Sequence, residues 1–530
     1  MGERRPKKIG GRERECRCPE RPAPFIDSPM ALCHSLGSFN PLDIGERKTL
    51  NRVESQIPEI GCRIGGREVR TGPWMPVLDP ATGQPIARVP ACDEGVVADA
   101  VSQALRSQPA WADLPVGERA ALLGKWAEAI SRHLDHLALL TCRETGKPLR
   151  AARAEVDNAV HLIHYFAEEA RRLTGHLPLT GKPGSQTLVL REPVGVVAAI
   201  TPFNYPISTL VTKAAPALAV GCSVVAKPDE HTPLATLEMA RLAEEVGCPS
   251  GVFQVVTGPG PETGKALVSH PQVALVTFTG STEVGKLVQR LAADHVKRVL
   301  LELGGHCPAI VCRDADWQGL LPSVLSQAFK NSGQYCYRIT RIYVAREIWD
   351  PFLTRLTSAA AALKVGDPRE PETDLGPLNN RHILERVHRQ VQEAVDQGAR
   401  VVLGGPPLPE DAGLYFPPTV LTDLHPGMDI LHQEIFGPVL LVLPFAQEQE
   451  AVEGANDSPF GLAAYVFSGD LARALRLSHR IRAGSIWINQ IHQARPEAPF
   501  GGMKQSGLGR EKSRFGLEAF TELKTVYLSY

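Results

Sequence analysis

Cys336 lies in the run Phe329-Lys330-Asn331-Ser332-Gly333-Gln334-Tyr335-Cys336-Tyr337-Arg338-Ile339-Thr340-Arg341, just after a flexible Ser-Gly pair. A thiol is a useful nucleophile only as its thiolate, which cations, helix N-termini or partner bases stabilise. Taken alone, a free cysteine is more often a buried spectator. Its company changes that reading. Glu302, in Leu301-Glu302-Leu303-Gly304-Gly305, is a carboxylate among leucines and glycines; poor solvation raises such a pKa toward general-base range. Asn204, in Pro202-Phe203-Asn204-Tyr205-Pro206, sits between prolines that rigidify its backbone, and a fixed carboxamide can donate to a developing oxyanion. Lys227-Pro228-Asp229-Glu230 offers a lysine and a carboxylate to the hydroxyls of a ribose. Thr279-Gly280-Ser281-Thr282-Glu283-Val284-Gly285 is a Gly-Ser turn into a helix, able to meet a pyrophosphate through backbone N–H groups. Gly258-Pro259-Gly260-Pro261-Glu262 mimics a phosphate loop, but its prolines remove donors. Each cluster has a bland alternative: a proline turn, a solvated charged loop, a strand end facing water. Together they supply an amide donor, a base, a thiol and a nucleotide shelf. A carbonyl compound would be attacked by the thiolate, lose hydride to a dinucleotide and be released by activated water.

These residues need elements that bring them together. "VGVVAAIT", "CSVVAKP", "VFQVVTG" and "ALVTFTG" are short β-branched runs separated by helical patterns such as Leu234 to Val246. Apolar runs of this kind suit parallel strands covered on both faces, and the alternation predicts a doubly wound α/β sheet. Ligands bind beyond the carboxyl ends of such strands, where the clusters fall. A second series, "AIVCR", "RIYVA", "RVVLGG", "VLLVLPF", "AAYVFSG" and "SIWINQ", predicts a second α/β domain with its boundary near Gly304–Gly305. Upstream, "VLDPATGQPIARVP" reads as a hairpin from about residue 70, followed by helices over Val96 to Gln108, Glu118 to Thr145 and Lys147 to Leu173. "TLVLREP" reads as a strand after a Gly/Pro-rich loop.

Composition bounds the partners. A chain of 530 residues exceeds what one core usually serves. A net charge of −1 gives no field for nucleic acid or an anionic membrane, and no apolar run is long enough to cross a bilayer. Eleven irregularly spaced cysteines read as reduced thiols of a cytoplasmic enzyme rather than a disulfide framework. His306, Cys307 and Cys312 lack a second ligand pair at zinc spacing, so no metal is expected. Residues 1–40 mix arginines and lysines with acids, glycines and prolines; they read as a disordered basic extension, with too many acids for a mitochondrial presequence. Met30 inside it raises the alternative of a downstream start.

At these residues the sequence resembles the aldehyde dehydrogenase superfamily from about residue 70 to the C-terminus. The resemblance rests on PFNYP at 202–206, VVAKPDE at 224–230, FTGSTEVG at 278–285, LELGG at 301–305 and GQYC at 333–336. KVGDP at 364–368, TDLGPL at 373–378, EIFGPV at 434–439 and PFGGMKQSGLGRE at 499–511 continue it. It implies that Cys336 forms a thiohemiacetal, that Asn204 and the Cys336 N–H hold its oxyanion, and that Glu302 activates water to hydrolyse the thioester. It further implies a proton relay through Lys213 and Glu511. NAD would be held by Thr201, Pro202, Phe203, Lys227, Glu230, Phe278, Gly280, Ser281 and Gly285, with Leu303, Glu434 and Phe436 around the nicotinamide ribose. The implied architecture is an NAD-binding domain (41–175 and 194–304), a catalytic domain (305–505) and a β-arm (176–193 and 506–530) that pairs subunits into a homodimer or homotetramer.

Some positions depart from the pattern. Phe203 stands where the family usually has Trp, and Cys222-Ser223 where it usually has Gly-Asn. Arg338 stands where small residues prevail; it would lower the Cys336 pKa, bind a substrate carboxylate, or turn away into a structural ion pair. Tyr335, Tyr337 and Phe500 would suit an aromatic or aliphatic aldehyde, whereas His492 and Arg495 point to a polar or acidic one such as a semialdehyde. Glu230 favours NAD over NADP. Two alternatives stay open: a CoA-acylating enzyme, against which Glu302 argues, and a catalytically silent protein on the same scaffold.

Overall fold

The computed structural model describes residues 57–179, 183–405, 413–493 and 495–530. The extension over 1–40 and residues 41–56 of the expected NAD-binding domain lie outside the described residues. Val196–Ile200, Ser223–Lys227, Phe253–Val255, Leu275–Thr279 and Arg298–Glu302 pair in parallel at the centre of an eight-stranded sheet. The first two are buried at every position, as β-branched runs covered by helices on both faces must be. Val196–Ile200 is flanked by Ser223–Lys227 on one side and Leu275–Thr279 on the other. The strand order reverses there, and beyond the carboxyl ends a crevice opens. Gly507–Leu508, from near the C-terminus, closes one edge antiparallel to Arg298–Glu302.

At the other edge stands a hairpin, Cys62–Ile64 with Arg67–Val69. It begins before residue 70, where the globular pattern was expected to start. Its signal is the Gly65-Gly66 turn, with φ of 58° and 72° at the two glycines, as a two-residue hairpin loop requires. The charged strands around it hide the alternation.

The second sheet has seven strands, in the order Arg400–Leu403, Thr419–Thr422, Val439–Phe445, Ile339–Ala345, Cys307–Val311, Ala463–Phe467 and Ser485–Ile488. All neighbours are parallel except the first pair. Residues 303–306 link the two sheets, at the Gly304–Gly305 boundary read from the sequence. Trp74–Leu78 and Pro85–Pro90 form the expected hairpin. The expected helix over 118–145 is two, Val116–Arg132 and Leu134–Thr145, broken at His133. The break re-aims the second helix so that Leu137, Ala138 and Cys142 are buried.

A two-stranded ladder of nine pairs joins Ser185–Pro193 to Thr521–Ser529. Before it, His176 pairs with Val189 in an isolated antiparallel bridge. Residues 507–508 complete the first sheet, and the helix Ser513–Glu518 puts Leu517 into the core with Trp126 and Phe166. Among the described residues no helix is long and apolar enough to cross a membrane.

Candidate active site

The strand Val196–Ile200 ends in Thr201 to Tyr205, and Pro206 then starts the helix Pro206–Val220. The first N–H groups of that helix need acceptors. Glu155 supplies one carboxylate oxygen to both, Ile207 N–H and Ser208 N–H, each at 3.0 Å. Its other oxygen pairs with Lys147, and both side chains are buried. Asn204 is thereby fixed just ahead of an anchored helix. Its Nδ2 donates to Gln334 O at 3.0 Å, and Asn331 Nδ2 donates to Asn204 O at 3.3 Å.

Those contacts join Asn204 to the turn that carries Cys336. Asn331, Ser332 and Gly333 all have positive φ, at 52°, 53° and 74°. Non-glycine residues persist there only when their surroundings impose it. Ser332 Oγ donates to Gly376 O at 2.7 Å, and Gln334 Oε1 accepts from Asn379 N–H at 2.9 Å. A Cβ on Gly333 would lie 2.0 Å from Gly437 O, so glycine is obligatory. Cys336 follows, half-buried, on the wall of a cavity of about 600 Å³.

The same cavity is lined by Glu302, at the carboxyl end of Arg298–Glu302, by Asn204 and by Glu511. Glu302 Oε2 is buried without a partner. Burial pushes this carboxyl well above its ordinary range, and the Glu511 charge adds to the push against Lys213. Glu511 Oε1 accepts from Lys213 Nζ at 2.5 Å, and that ammonium also donates to Thr277 Oγ1 at 3.1 Å. Lys213 is fully buried behind the wall and does not line the cavity.

Thr201, Pro202, Phe203, Lys227, Glu230, Phe278, Gly280, Ser281, Leu303, Glu434 and Phe436 line it too. Ser281 caps the helix Thr282–Ala293 by accepting from Val284 N–H, which opens that N-terminus to the cavity. A Cβ on Gly280 would meet the Phe278 ring at 2.4 Å. Thr201 Oγ1 and Thr279 Oγ1 are buried without partners on the same shelf. Glu434 accepts from Gly305 N–H at 2.9 Å. Gly285 is not on the wall; a Cβ there would meet Leu303 at 2.3 Å, so it lets the helix pack against the residue that is.

Tyr335, Tyr337 and Phe500 form the remaining wall with His492, their rings 4.0–5.0 Å apart along the chain of contacts Tyr335–Tyr337–Phe500. Arg338 is not among them. Its guanidinium is buried the other way, donating to the carbonyls of Ala328, Ile435 and Val439. It neither reaches substrate space nor forms an ion pair, and so does not serve as the carboxylate anchor or thiolate partner considered above. The reason is local. Residues alternate sides as the turn feeds the strand Ile339–Ala345, and this side faces three carbonyls that need donors. Arg495 is exposed and off the wall. The Cys336 thiol is pushed well up by burial first, and then by the charges of Glu434, Cys307 and Glu302. Lys330 and Lys512, absent from the residues picked out by sequence, also line this end.

Comparison with known proteins decides the family. The profile of the "Aldehyde dehydrogenase family" matches residues 68–526. The chain belongs to the aldehyde dehydrogenase family. A mitochondrial succinate-semialdehyde dehydrogenase of Oryza sativa subsp. japonica is 41% identical over 466 residues, covering 87% of this chain and 88% of the relative. Escherichia coli (strain K12) has a relative named succinate-semialdehyde dehydrogenase (NADP(+)), 38% identical over 86% of this chain and 95% of its own. The structure of betaine aldehyde dehydrogenase from Staphylococcus aureus in complex with NAD+ superposes with a TM-score of 0.86 at 35% identity, over 88% of this chain and 94% of that one. This aldehyde dehydrogenase is therefore an NAD(P)-dependent oxidoreductase that oxidises an aldehyde to its acid and is not of the CoA-acylating kind. Its α/β architecture with parallel sheets is that of the family.

Proposed function

We propose that this chain oxidises a semialdehyde, an aldehyde with a carboxylate at its other end, using NAD rather than NADP. The observation that carries the reading is the shared wall: thiol, carboxamide and unpartnered carboxyl face one cavity whose far side is the strand-end shelf. The names of the two relatives support the substrate class.

In this reading Cys336 Sγ adds to the aldehyde carbon, and the Asn204 amide and Cys336 N–H receive the oxyanion. Asn204 Nδ2 spends one hydrogen on Gln334 O, which leaves the second for that role. The residues on the shelf fit a dinucleotide, since Thr201 Oγ1 and Thr279 Oγ1 lack partners and a helix N-terminus opens beside Gly280. Bound there, NAD would supply the acceptor for the hydride that leaves the thiohemiacetal. Glu302, with a free oxygen and a raised pKa, then takes a proton from the water that hydrolyses the thioester. Glu511 and Lys213 carry that proton away from the base. Glu230, half-exposed at the shelf, would accept from a ribose 2′-hydroxyl and repel a 2′-phosphate. Lys227, Phe278, Gly280 and Ser281 complete the adenosine and pyrophosphate site, and Leu303, Glu434 and Phe436 the nicotinamide ribose site. The ladder of Ser185–Pro193 with Thr521–Ser529, which carries exposed Leu190, Leu523 and Tyr527, supports a homo-oligomer.

A panel of acidic and neutral aldehydes, assayed with both cofactors, tests this. The expected result is acid formation with the highest kcat/KM for a semialdehyde and NAD. A lower KM for NADP than for NAD would reverse the cofactor assignment.

A further inference from the structure

Lys512 adopts φ 60° and ψ 177° at the start of the helix Ser513–Glu518. That conformation belongs almost exclusively to glycine, and such a backbone outlier at an active-site wall motivates a functional explanation. Its ammonium lies 5.0 Å from the Phe500 ring centroid, on the cavity wall that Cys336 and Glu302 share. Lys330 reaches the same end from the other side, its ammonium 5.7 Å from the Tyr335 ring centroid. Among the described residues neither ammonium has a hydrogen-bond acceptor or an ion-pair partner. Between them stands His492, whose Nδ1 is buried without a partner. Burial and the two lysine charges push this ring down to about 2, so it stays neutral and offers no competing cation. The carboxylates on the wall are already engaged: Glu155 by Lys147, Glu511 by Lys213, and Glu434 by the Gly305 N–H. Glu302 is the exception, and its burial favours the neutral acid.

Two ammoniums without a hydrogen-bonded acceptor stand over an aromatic wall, and Glu511, Glu302 and Cys336 act on Lys512 only through their charge. We propose that Lys512, with Lys330 opposite, holds the carboxylate end of the substrate and sets the preference of this enzyme for acidic aldehydes over neutral ones. The inference rests on the oxidation reading above and adds the residue that selects the substrate. The strained lysine backbone is the counterpart of that selection: a side chain is retained where glycine would sit without strain.

The test measures kcat/KM for 4-oxobutanoate and for butanal, of equal length and differing in charge, in the wild type, Lys512→Gly, Lys512→Arg and Lys330→Met. Glycine suits the backbone at 512, so that variant keeps the fold. The expected result is a wild-type preference for the anion that falls about ten- to hundred-fold in Lys512→Gly, the worth of one hydrogen bond to a charged group. The loss appears in KM, Lys512→Arg keeps most of the preference, and Lys330→Met weakens it. An unchanged anion-to-neutral ratio in Lys512→Gly overturns the proposal. So does an equal loss for both aldehydes, which would make Lys512 a partner of Cys336 instead. Wild-type oxidation of butanal without preference for 4-oxobutanoate sinks the inference together with the semialdehyde assignment and leaves aldehyde oxidation standing, whereas a wild-type preference for 4-oxobutanoate that survives in Lys512→Gly sinks the inference alone.

Discussion

Cys336 and Glu302 are both held in protonated form by their surroundings, and both must lose that proton to work. Burial leads in each case, and neighbouring carboxylates add to it. A raised pKa means that the active, deprotonated form gains population as pH climbs. The rate with saturating NAD should therefore rise steadily between about pH 6 and 9, with no acidic optimum; a stopped-flow pH series reads it directly. Cys336→Ser should lose about three orders of magnitude or more in turnover, since removal of a nucleophile is rarely compensated, while NAD titration of the variant remains normal. Glu302→Gln should acylate and then stall, giving a burst of NADH followed by a steady state about 10²–10⁴-fold slower. An undiminished steady state after the burst would remove Glu302 from the role of base. At this scale the sequence was legible where chemistry dictates neighbours: a carboxylate among leucines and glycines did become an unpartnered buried carboxyl. It was not legible for Arg338, because the side of a turn on which a side chain emerges depends on φ values at Asn331, Ser332 and Gly333 that residue types do not announce. Lys512 was missed for the same reason.

The helix Pro206–Val220 is held at its start by a residue from another helix, Leu149–Ala170, through Glu155. Glu155 in turn depends on the buried Lys147, whose ammonium also lies 3.7 Å from the Tyr205 ring centroid. Removing one partner of a buried pair leaves the other uncompensated. Lys147→Met should cost about 3–5 kcal/mol in urea unfolding, and Lys147→Met combined with Glu155→Gln less than the single change. Because Asn204 immediately precedes this helix, the single variant should also lose activity in the protein that remains folded. The strand–helix alternation exposed the parallel sheets clearly, since β-branched runs buried on both faces have no polar side to obscure them. The capping pair was invisible: Glu155 and Ile207 are distant in sequence, and nothing local distinguishes Glu155 from the other acids of its helix. The split at His133 was hidden too, because helical spacing continues through it.

Across the whole molecule, the ladder of Ser185–Pro193 with Thr521–Ser529 stands out as a two-stranded element with apolar side chains in water. Leu190, Leu523 and Tyr527 are exposed by 41%, 58% and 80%. Two strands alone are marginal in water, so this face fits a second copy of the chain better than solvent. Leu523→Asp with Tyr527→Asp should shift the sedimentation coefficient toward that of a monomer; an unshifted boundary would place the contact elsewhere. The register of the ladder could be anticipated only in outline, because its two strands lie far apart along the chain. That separation recurs at the first sheet, where Arg298–Glu302 receives its outer neighbour from Gly507–Leu508. Synthesis runs from the N-terminus, so a nascent chain still on the ribosome can have its sulfur in place long before the strand beneath Glu302 acquires that last edge. Premature release between Ile488 and Gly507 would thus yield a protein with a nucleophile and an unsupported base, competent at most to trap an aldehyde and not to let it go.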